Sequence, residues 1–225
     1  MKPLGILVLD TRFPRIVGDI GNPASFDFPV IYRRLEGIVP SDVVAAHPYK
    51  SRILAALEAN ARKLAAEGAA GISTSCGFLA LFQKELEALS PVPVATSALL
   101  LVTAMKGRKV GVITASARNL TVRHLRAVGA PENTPIEGMP ENGSFAATFL
   151  ANGPDLDRAV VERETIEAGR ALLRKNPEIE AIVLECTNLP PYKRALEGAL
   201  AIEVYDVLDL LRDFWKRLGH HVERG

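Results

Sequence analysis

The chain holds two cysteines, and they stand in stretches that look like copies of each other. The first is Gly71-Ile72-Ser73-Thr74-Ser75-Cys76-Gly77-Phe78; the second is Ala181-Ile182-Val183-Leu184-Glu185-Cys186-Thr187-Asn188. Each reads as an apolar strand that stops at a cysteine, with a helix starting just after. The chemistry this permits is proton transfer. The thiolate is the reactive form of cysteine, and a helix N-terminus, with partial positive charge and unpaired N–H groups, stabilises an anion. The same N–H groups can hold a substrate carboxylate. If the two stretches face each other across one cleft, a thiolate on one side and a thiol on the other supply base and acid on opposite faces of a carbon. That pair suits proton abstraction next to a carboxylate, where preorganised donors stabilise the charge developing on oxygen.

A strand-end cysteine on its own reads as a buried space-filler. Two at matching positions turn the reading toward chemistry. A metal site finds no support, because no Cys-x-x-Cys or paired His spacing occurs. A disulfide does not suit the reducing cytoplasm that two distant cysteines without an export signal imply.

Small hydroxyl residues surround the two thiols: Thr74 and Ser75 in one half, Thr187 in the other. Thr114 and Ser116 end the first strand of the second half, as Asp10 and Thr11 end that of the first. The result is a polar cleft with few fixed charges. Asp10 orients a thiol or receives a substrate ammonium group, unless it caps a turn. Arg12 either holds a distal carboxylate with its bidentate fork or is a solvated loop charge. Glu185 adjoins Cys186, but adjacent strand residues point to opposite faces, which gives it a structural role. Asn188 is a helix cap or a ligand. His47 and His124 read as helix-surface or capping residues, and Phe26 and Phe28 as a cover over the site or as core.

The elements that must position these residues alternate between strand and helix, which means a mostly parallel sheet with covered faces. Leu4 to Leu9 is a buried strand. Phe13 to Pro40 is a long loop, either a lid or a connector. Val43 to Ala46 reads as a second strand. A helix from about Tyr49 to Ala66 aligns Ile53, Leu54, Leu57, Ala61 and Leu64, and Gly68 stops it. Strand Ala69 to Thr74, helix Phe78 to Leu89, strand Val92 to Ala95 and a helix capped by Ser97 follow. At Lys109 the pattern restarts. Strand Lys109 to Thr114, a helix from Ser116 to Val128, strand Thr134 to Met139, helix Leu156 to Arg174, strand Glu180 to Glu185, a helix opened by Pro190 and Pro191, strand Ile202 to Tyr205 and helix Asp206 to Leu218 complete the chain. Gly219 onward reads as a frayed tail.

The expected fold is α/β: two pseudo-symmetric three-layer halves with the site in the cleft between them. The halves run over 1–97 and 98–206, and 207–225 is a C-terminal helix and tail that packs back on the first half. Ligands of such sheets bind at the carboxyl ends of the strands, where both cysteines stand. With 225 residues, 48% hydrophobic and 24% charged, the chain can bury a large core. A net charge of +1 gives no argument for nucleic acid or acidic membrane as a partner. No apolar run approaches the length of a bilayer span, and the location expected is cytoplasmic.

The motifs Thr-Ser-Cys-Gly-Phe around Cys76 and Leu-Glu-Cys-Thr-Asn around Cys186 resemble those of the cofactor-independent aspartate/glutamate racemase family, which includes hydantoin racemases. The opening Leu-Asp-Thr-Arg-Phe-Pro-Arg and the following Gly18-Asp19-Ile20-Gly21-Asn22 resemble one racemase-like branch of it. The resemblance covers nearly the whole chain. It implies a two-base racemase or epimerase with no cofactor, Cys76 and Cys186 as proton carriers, and a homodimer. It carries substrate-carboxylate binding onto Thr187, Thr114 and Ser116. Where amino-acid racemases of the family have Asn-Thr after the first cysteine, this chain has Gly77 and Phe78. Glutamate racemases have a histidine where Asn188 stands.

The reading is therefore an isomerase acting on an amino acid or related small carboxylate, with Ser75, Gly77, Phe78 and Asn188 around the substrate. Three alternatives stand beside it: a cis-trans isomerase or decarboxylase using one cysteine, a non-catalytic binder of a small carboxylate, and a redox-sensing dithiol.

Overall fold

The computed structural model describes residues 2–222. Strand β1 (Leu4–Leu9) is apolar along its length and buried on both faces, as the inner strand of a covered parallel sheet is. It pairs on one side with β2 (Val30–Leu35) and on the other with β3 (Gly71–Thr74), and β4 (Val94–Ala95) pairs with β3. The second sheet repeats this plan. Strand β5 (Val110–Thr114) lies between β6 (Ile136–Gly138) and β7 (Ala181–Leu184), with β8 (Glu203–Tyr205) outside β7. The orders are β2-β1-β3-β4 and β6-β5-β7-β8, and every pairing is parallel. In each half the chain leaves the first strand for one side and returns on the other. That reversal opens a crevice at the carboxyl ends of the first and third strands, where sheets of this kind bind ligands. Cys76 follows β3 and Cys186 follows β7, so both stand at such a crevice.

Helices cover both sheets. Helix α1 is the single turn Pro40–Val43. Helix α2 (Lys50–Ala66) buries Ile53, Leu57, Ala61 and Leu64, spaced to share one face, against the first sheet. Helix α3 (Gln83–Leu89) follows the first cysteine loop and α4 (Leu99–Ala104) follows β4. In the second half, α5 (Val122–Val128), α6 (Arg158–Lys175) and α7 (Lys193–Leu200) alternate with the strands. Helix α8 (Val207–Val222) returns to the first sheet. Its Leu210, Leu211, Phe214 and Leu218 are buried, each contributing about 1.5–3 kcal/mol. Trp215 donates its indole N–H to the Lys2 carbonyl and stacks on Phe28.

Several expected elements move. The second strand of the first sheet is Val30–Leu35; Val43 to Ala46 is instead the end of α1 and the turn after it. The second-half helix expected from Ser116 starts at Val122. Thr121 precedes it, and the His124 ring accepts the Thr121 N–H. The helix expected from Phe78 opens as a 3-10 segment, Gly77–Phe82, before α3. A π-helical turn, Ala146–Leu150, stands where no element was expected, and α6 starts at Arg158, capped by Asp157. The tail is helical through Val222 rather than frayed from Gly219, and the expectation for 223–225 lies outside the described residues. Among the described residues no helix is long and apolar enough to cross a membrane.

Candidate active site

The two cysteine loops touch. The Thr187 hydroxyl donates to the Ser75 carbonyl at 2.6 Å, and the Ser75 hydroxyl accepts the Leu9 N–H at 3.0 Å. The two halves are therefore tied at the residue before one cysteine and the residue after the other. Cys76 and Cys186 are both free thiols and both buried. They line one cavity together with Thr11, Phe13, Arg15, Ser75, Gly77, Phe78, Phe149, Glu185, Thr187 and Asn188, among others. The enclosed space is about 20 Å³, room for about one water. A substrate of several heavy atoms needs the cleft to open. A wider surface groove of about 660 Å³, between α4 and α8, holds no cysteine.

Of the residues singled out from sequence, Cys76, Cys186, Thr11, Ser75, Gly77, Phe78, Thr187 and Asn188 reach the cavity, and Asp10, Arg12, Thr114 and Ser116 do not. Asp10 turns away: it pairs with Arg34 of β2 at 3.0 Å and accepts the Gly37 N–H at 2.9 Å. That makes it a turn cap, and a role facing the cleft is corrected. Arg12 is exposed, and its backbone N–H donates to Asn152. Thr114 lies behind the cavity wall and donates its hydroxyl to Glu185 at 2.7 Å. Ser116 is buried outside the lining, and Ala115 stands at the cavity instead. Phe28 and Phe26 pack together beside Trp215 of α8. His124 caps as expected but is fully buried, edge-on to Phe78, and burial lowers it to about 4.

Three residues at the site were given no catalytic or binding role from sequence. Arg15 reaches the cavity where Arg12 was expected to, lying over the Phe13 ring at 4.4 Å. Its guanidinium donates to Asp19 at 2.8 Å and to the Thr11 hydroxyl at 2.9 Å. Asp19 is buried and accepts from the Asn188 side-chain amide at 2.6 Å. Because Asp19 takes that N–H, the Asn188 carbonyl oxygen is turned toward Cys186, whose thiol donates to it at 3.5 Å. One polar chain thus runs from Thr11 through Arg15, Asp19 and Asn188 to the second thiol. It crosses from the first half to the second, and the loop expected to be a lid or connector carries most of it. Glycine at position 18, with φ of +101°, lets this loop approach Pro191 closely.

Glu185 is the third. It is fully buried and lines the cavity. One carboxyl oxygen accepts from Thr114, and the other has no partner. Burial pushes its carboxyl up to about 7. The thiols shift the same way. Cys76 is pushed up to about 12 by burial and by Glu185, against the pull of the Phe78 and Leu79 N–H groups and Arg15. Burial and Glu185 also push Cys186 well above the ordinary thiol range. The expected helix-terminus effect is thus outweighed. A short 3-10 turn offers few aligned dipoles, and a buried thiol facing a carboxylate loses more than they return. At neutral pH both thiols therefore hold their protons in the closed cavity.

No protein-family model matches the chain. Its sequence is similar to Dimethylsulfoniopropionate lyase 5 of Emiliania huxleyi, 30% identical over 222 residues, covering 92% of this chain and 44% of that one. It is also similar to a dimethylsulfoniopropionate lyase of Durusdinium sp. clade D, 27% identical over 226 residues, covering 95% of this chain and 74% of that one. The chain thus spans less than half the length of the first relative. Among solved structures it resembles a point variant of arylmalonate decarboxylase, with a TM-score of 0.62 and 19% identity over 96% of this chain and 93% of that one. It also resembles glutamate racemase from Francisella tularensis in complex with D-glutamate, with a TM-score of 0.55 and 14% identity over 98% and 82%. The likeness to the decarboxylase and the racemase is one of fold, and the sequence relatives carry the name of lyases.

Proposed function

We propose that this protein takes a proton from the carbon next to a carboxylate, with a cysteine as base, and expels a leaving group from the following carbon. That is a lyase reaction, and the substrate proposed is dimethylsulfoniopropionate or a close analogue. The observation that carries the reading is a conjunction. Two cysteine loops from matched half-repeats open on one cavity, and the sequence relatives named above, matched over 92% and 95% of this chain, are lyases.

The substrate's chemistry fits the lining. Its carboxylate acidifies the adjacent C–H, and its sulfonium on the next carbon is a leaving group. The thiolate takes the proton, the C–H electron pair becomes the new carbon–carbon double bond, and the carbon–sulfur bond breaks with its electrons on sulfur. Acrylate and neutral dimethyl sulfide result. Arg15 is the cation at the cavity that can hold the carboxylate, and the N–H groups after Cys76 can receive charge developing on its oxygens. The rings of Phe13, Phe78 and Phe149 suit a sulfonium cation, which binds over an aromatic face.

A second reading is the racemase or epimerase. The presence of two thiols favours it, since elimination needs one base while inversion needs a donor on the opposite face as well. Headspace detection of dimethyl sulfide, with acrylate followed by NMR, separates the two. The lyase reading predicts release that ends when the base cysteine is replaced by serine. Deuterium entering a chiral carboxylate with inversion, and no dimethyl sulfide, would favour the racemase instead.

A further inference from the structure

The polar side chains around the cavity are largely engaged with one another. Arg15 donates to Asp19 and Thr11, the Asn188 amide to Asp19, the Thr187 hydroxyl to the Ser75 carbonyl and the Cys186 thiol to Asn188. Glu185 is the exception. It is fully buried and lines the cavity, and its Oε1 finds no hydrogen-bond partner among the described residues. Its other oxygen, Oε2, accepts the Thr114 hydroxyl at 2.7 Å. Oε1 lies against Gly77, where any β-carbon would collide with it, so a residue without a side chain lets this oxygen stand beside the first cysteine loop. Burying a polar atom without a partner is unfavourable, and a ligand that supplies the partner relieves the cost.

We infer that Glu185 binds the substrate carboxylate as a neutral acid, donating a hydrogen bond from Oε1 to a carboxylate oxygen. The inference deepens the reading of the cavity as a small-carboxylate site and rests on it. Because Thr114 donates to Oε2, the proton of the neutral acid sits on Oε1. Removal of the neighbouring C–H proton moves charge onto the substrate's carboxylate oxygens, so this hydrogen bond strengthens in the transition state. An ionised Glu185 would instead set two carboxylates against each other. Burial favours the neutral form, since the carboxyl titrates at about 7 rather than 4.5. A neutral Glu185 also removes a charge that helps to hold both thiols protonated. Above pH 7, binding of a carboxylate draws a proton from solvent onto Oε1, and release of the ligand returns it. The titratable and charged groups around Glu185 are Cys76 after β3, Cys186 on its own loop, Arg15 and Asp19 from the β1–β2 loop, and His124 of α5 behind Phe78. The thiols already hold their protons at neutral pH, and His124 titrates at about 4, so neither supplies a proton exchange near pH 7.

The test is isothermal titration calorimetry with propionate, a short carboxylate that carries no leaving group. Titrations in buffers of different ionisation enthalpy count the protons taken up on binding. The wild type is expected to take up close to one proton at pH 8, and to bind propionate about 10²-fold more weakly at pH 9 than at pH 6. Glu185→Gln keeps a donor in its amide but does not titrate. It is expected to bind with no proton uptake and with a Kd constant to about 2-fold over the same range. Thr114→Val removes the hydrogen bond that favours the carboxylate, so the onset of uptake should move to higher pH. That variant decides the matter should E185Q fail to fold: an unmoved onset counts against the role. Failure of the wild type to bind propionate at pH 6, binding without proton uptake at pH 8, or undiminished uptake in E185Q would overturn the proposal. Uptake that is lost in E185Q, in a protein that releases no dimethyl sulfide, would uphold Glu185 and count against the lyase reading alone. Dimethyl sulfide release by a protein that binds propionate without uptake would do the reverse.

Discussion

Gly77 and Glu185 occupy what would otherwise be one space: a β-carbon at position 77 falls 2.7 Å from the Glu185 carboxyl carbon, and closer still to Oε1 and to the Glu185 carbonyl oxygen. The residue after one cysteine is thus set by the residue before the other. Non-bonded carbons sit best at about 3.5–4.0 Å, so the contact has no room to absorb a methyl group.

Gly77→Ala is accordingly expected to destabilise the fold by about 1–3 kcal/mol, read from urea unfolding midpoints. Adding Glu185→Ala should relieve only part of the loss, because the carbonyl oxygen also stands in the way. Full recovery in the double variant would show that the backbone contact is unimportant.

The stability of the protein should carry the mark of Glu185. Burial raises its carboxyl from an ordinary value of 4.5 to about 7, so the folded state holds the proton more tightly than the unfolded one. Its contribution is present in full below pH 4.5 and is lost as pH rises through 7, on the order of 3 kcal/mol. His124 acts in the opposite sense. Its imidazole is lowered from 6.5 to about 4, so its contribution is present above pH 6.5 and lost as pH falls toward 4. The difference between wild type and Glu185→Gln isolates the carboxyl: the wild type should lose stability relative to the variant between pH 4.5 and 7.

Arg15→Lys keeps a charge but cannot bridge Asp19 and Thr11 with one planar fork. Steady-state kinetics should show KM rising by about 10- to 100-fold, with a smaller change in kcat. The same variant should leave the fold in place, since Asp19 keeps a cation and its bond to Asn188.

Asn152 ties the two halves at the rim of the cleft. It accepts the Arg12 N–H at 2.7 Å and donates to the Asp10 carbonyl at 3.3 Å, with its own backbone at φ of +56°. Beneath it, Phe13 and Phe149 meet edge to face at 4.9 Å. Asn152→Ala should cost about 1 kcal/mol and speed thiol labelling, because the cleft opens more often. Unchanged labelling would place the opening elsewhere.

The repeat was legible because buried parallel strands read as unbroken apolar runs, and both cysteine loops follow such a run. Strand β2 was not. Val30-Ile31-Tyr32-Arg33-Arg34-Leu35 is an edge strand with charges in its middle, so it has neither a full apolar run nor a clean alternation. Missing β2 hid Arg34, and with it the partner that draws Asp10 out of the cleft. For Glu185, strand alternation pointed to a structural partner, which Thr114 is, but gave no sign of its place at the cavity. The ladder ends at Leu184, and beyond it the chain turns and brings Glu185 to the cavity with Cys186. The choice of Arg12 over Arg15 turned on the path of an irregular loop, which local spacing does not encode.

The most direct test is NMR of the protein with dimethylsulfoniopropionate in deuterated buffer, alongside Cys76→Ser and Cys186→Ser. Proton abstraction by a thiol predicts acrylate and dimethyl sulfide in the wild type and their loss in at least one folded serine variant. Undiminished product in both variants, or a reduced, folded wild type that neither forms product nor exchanges the α-protons, would contradict it.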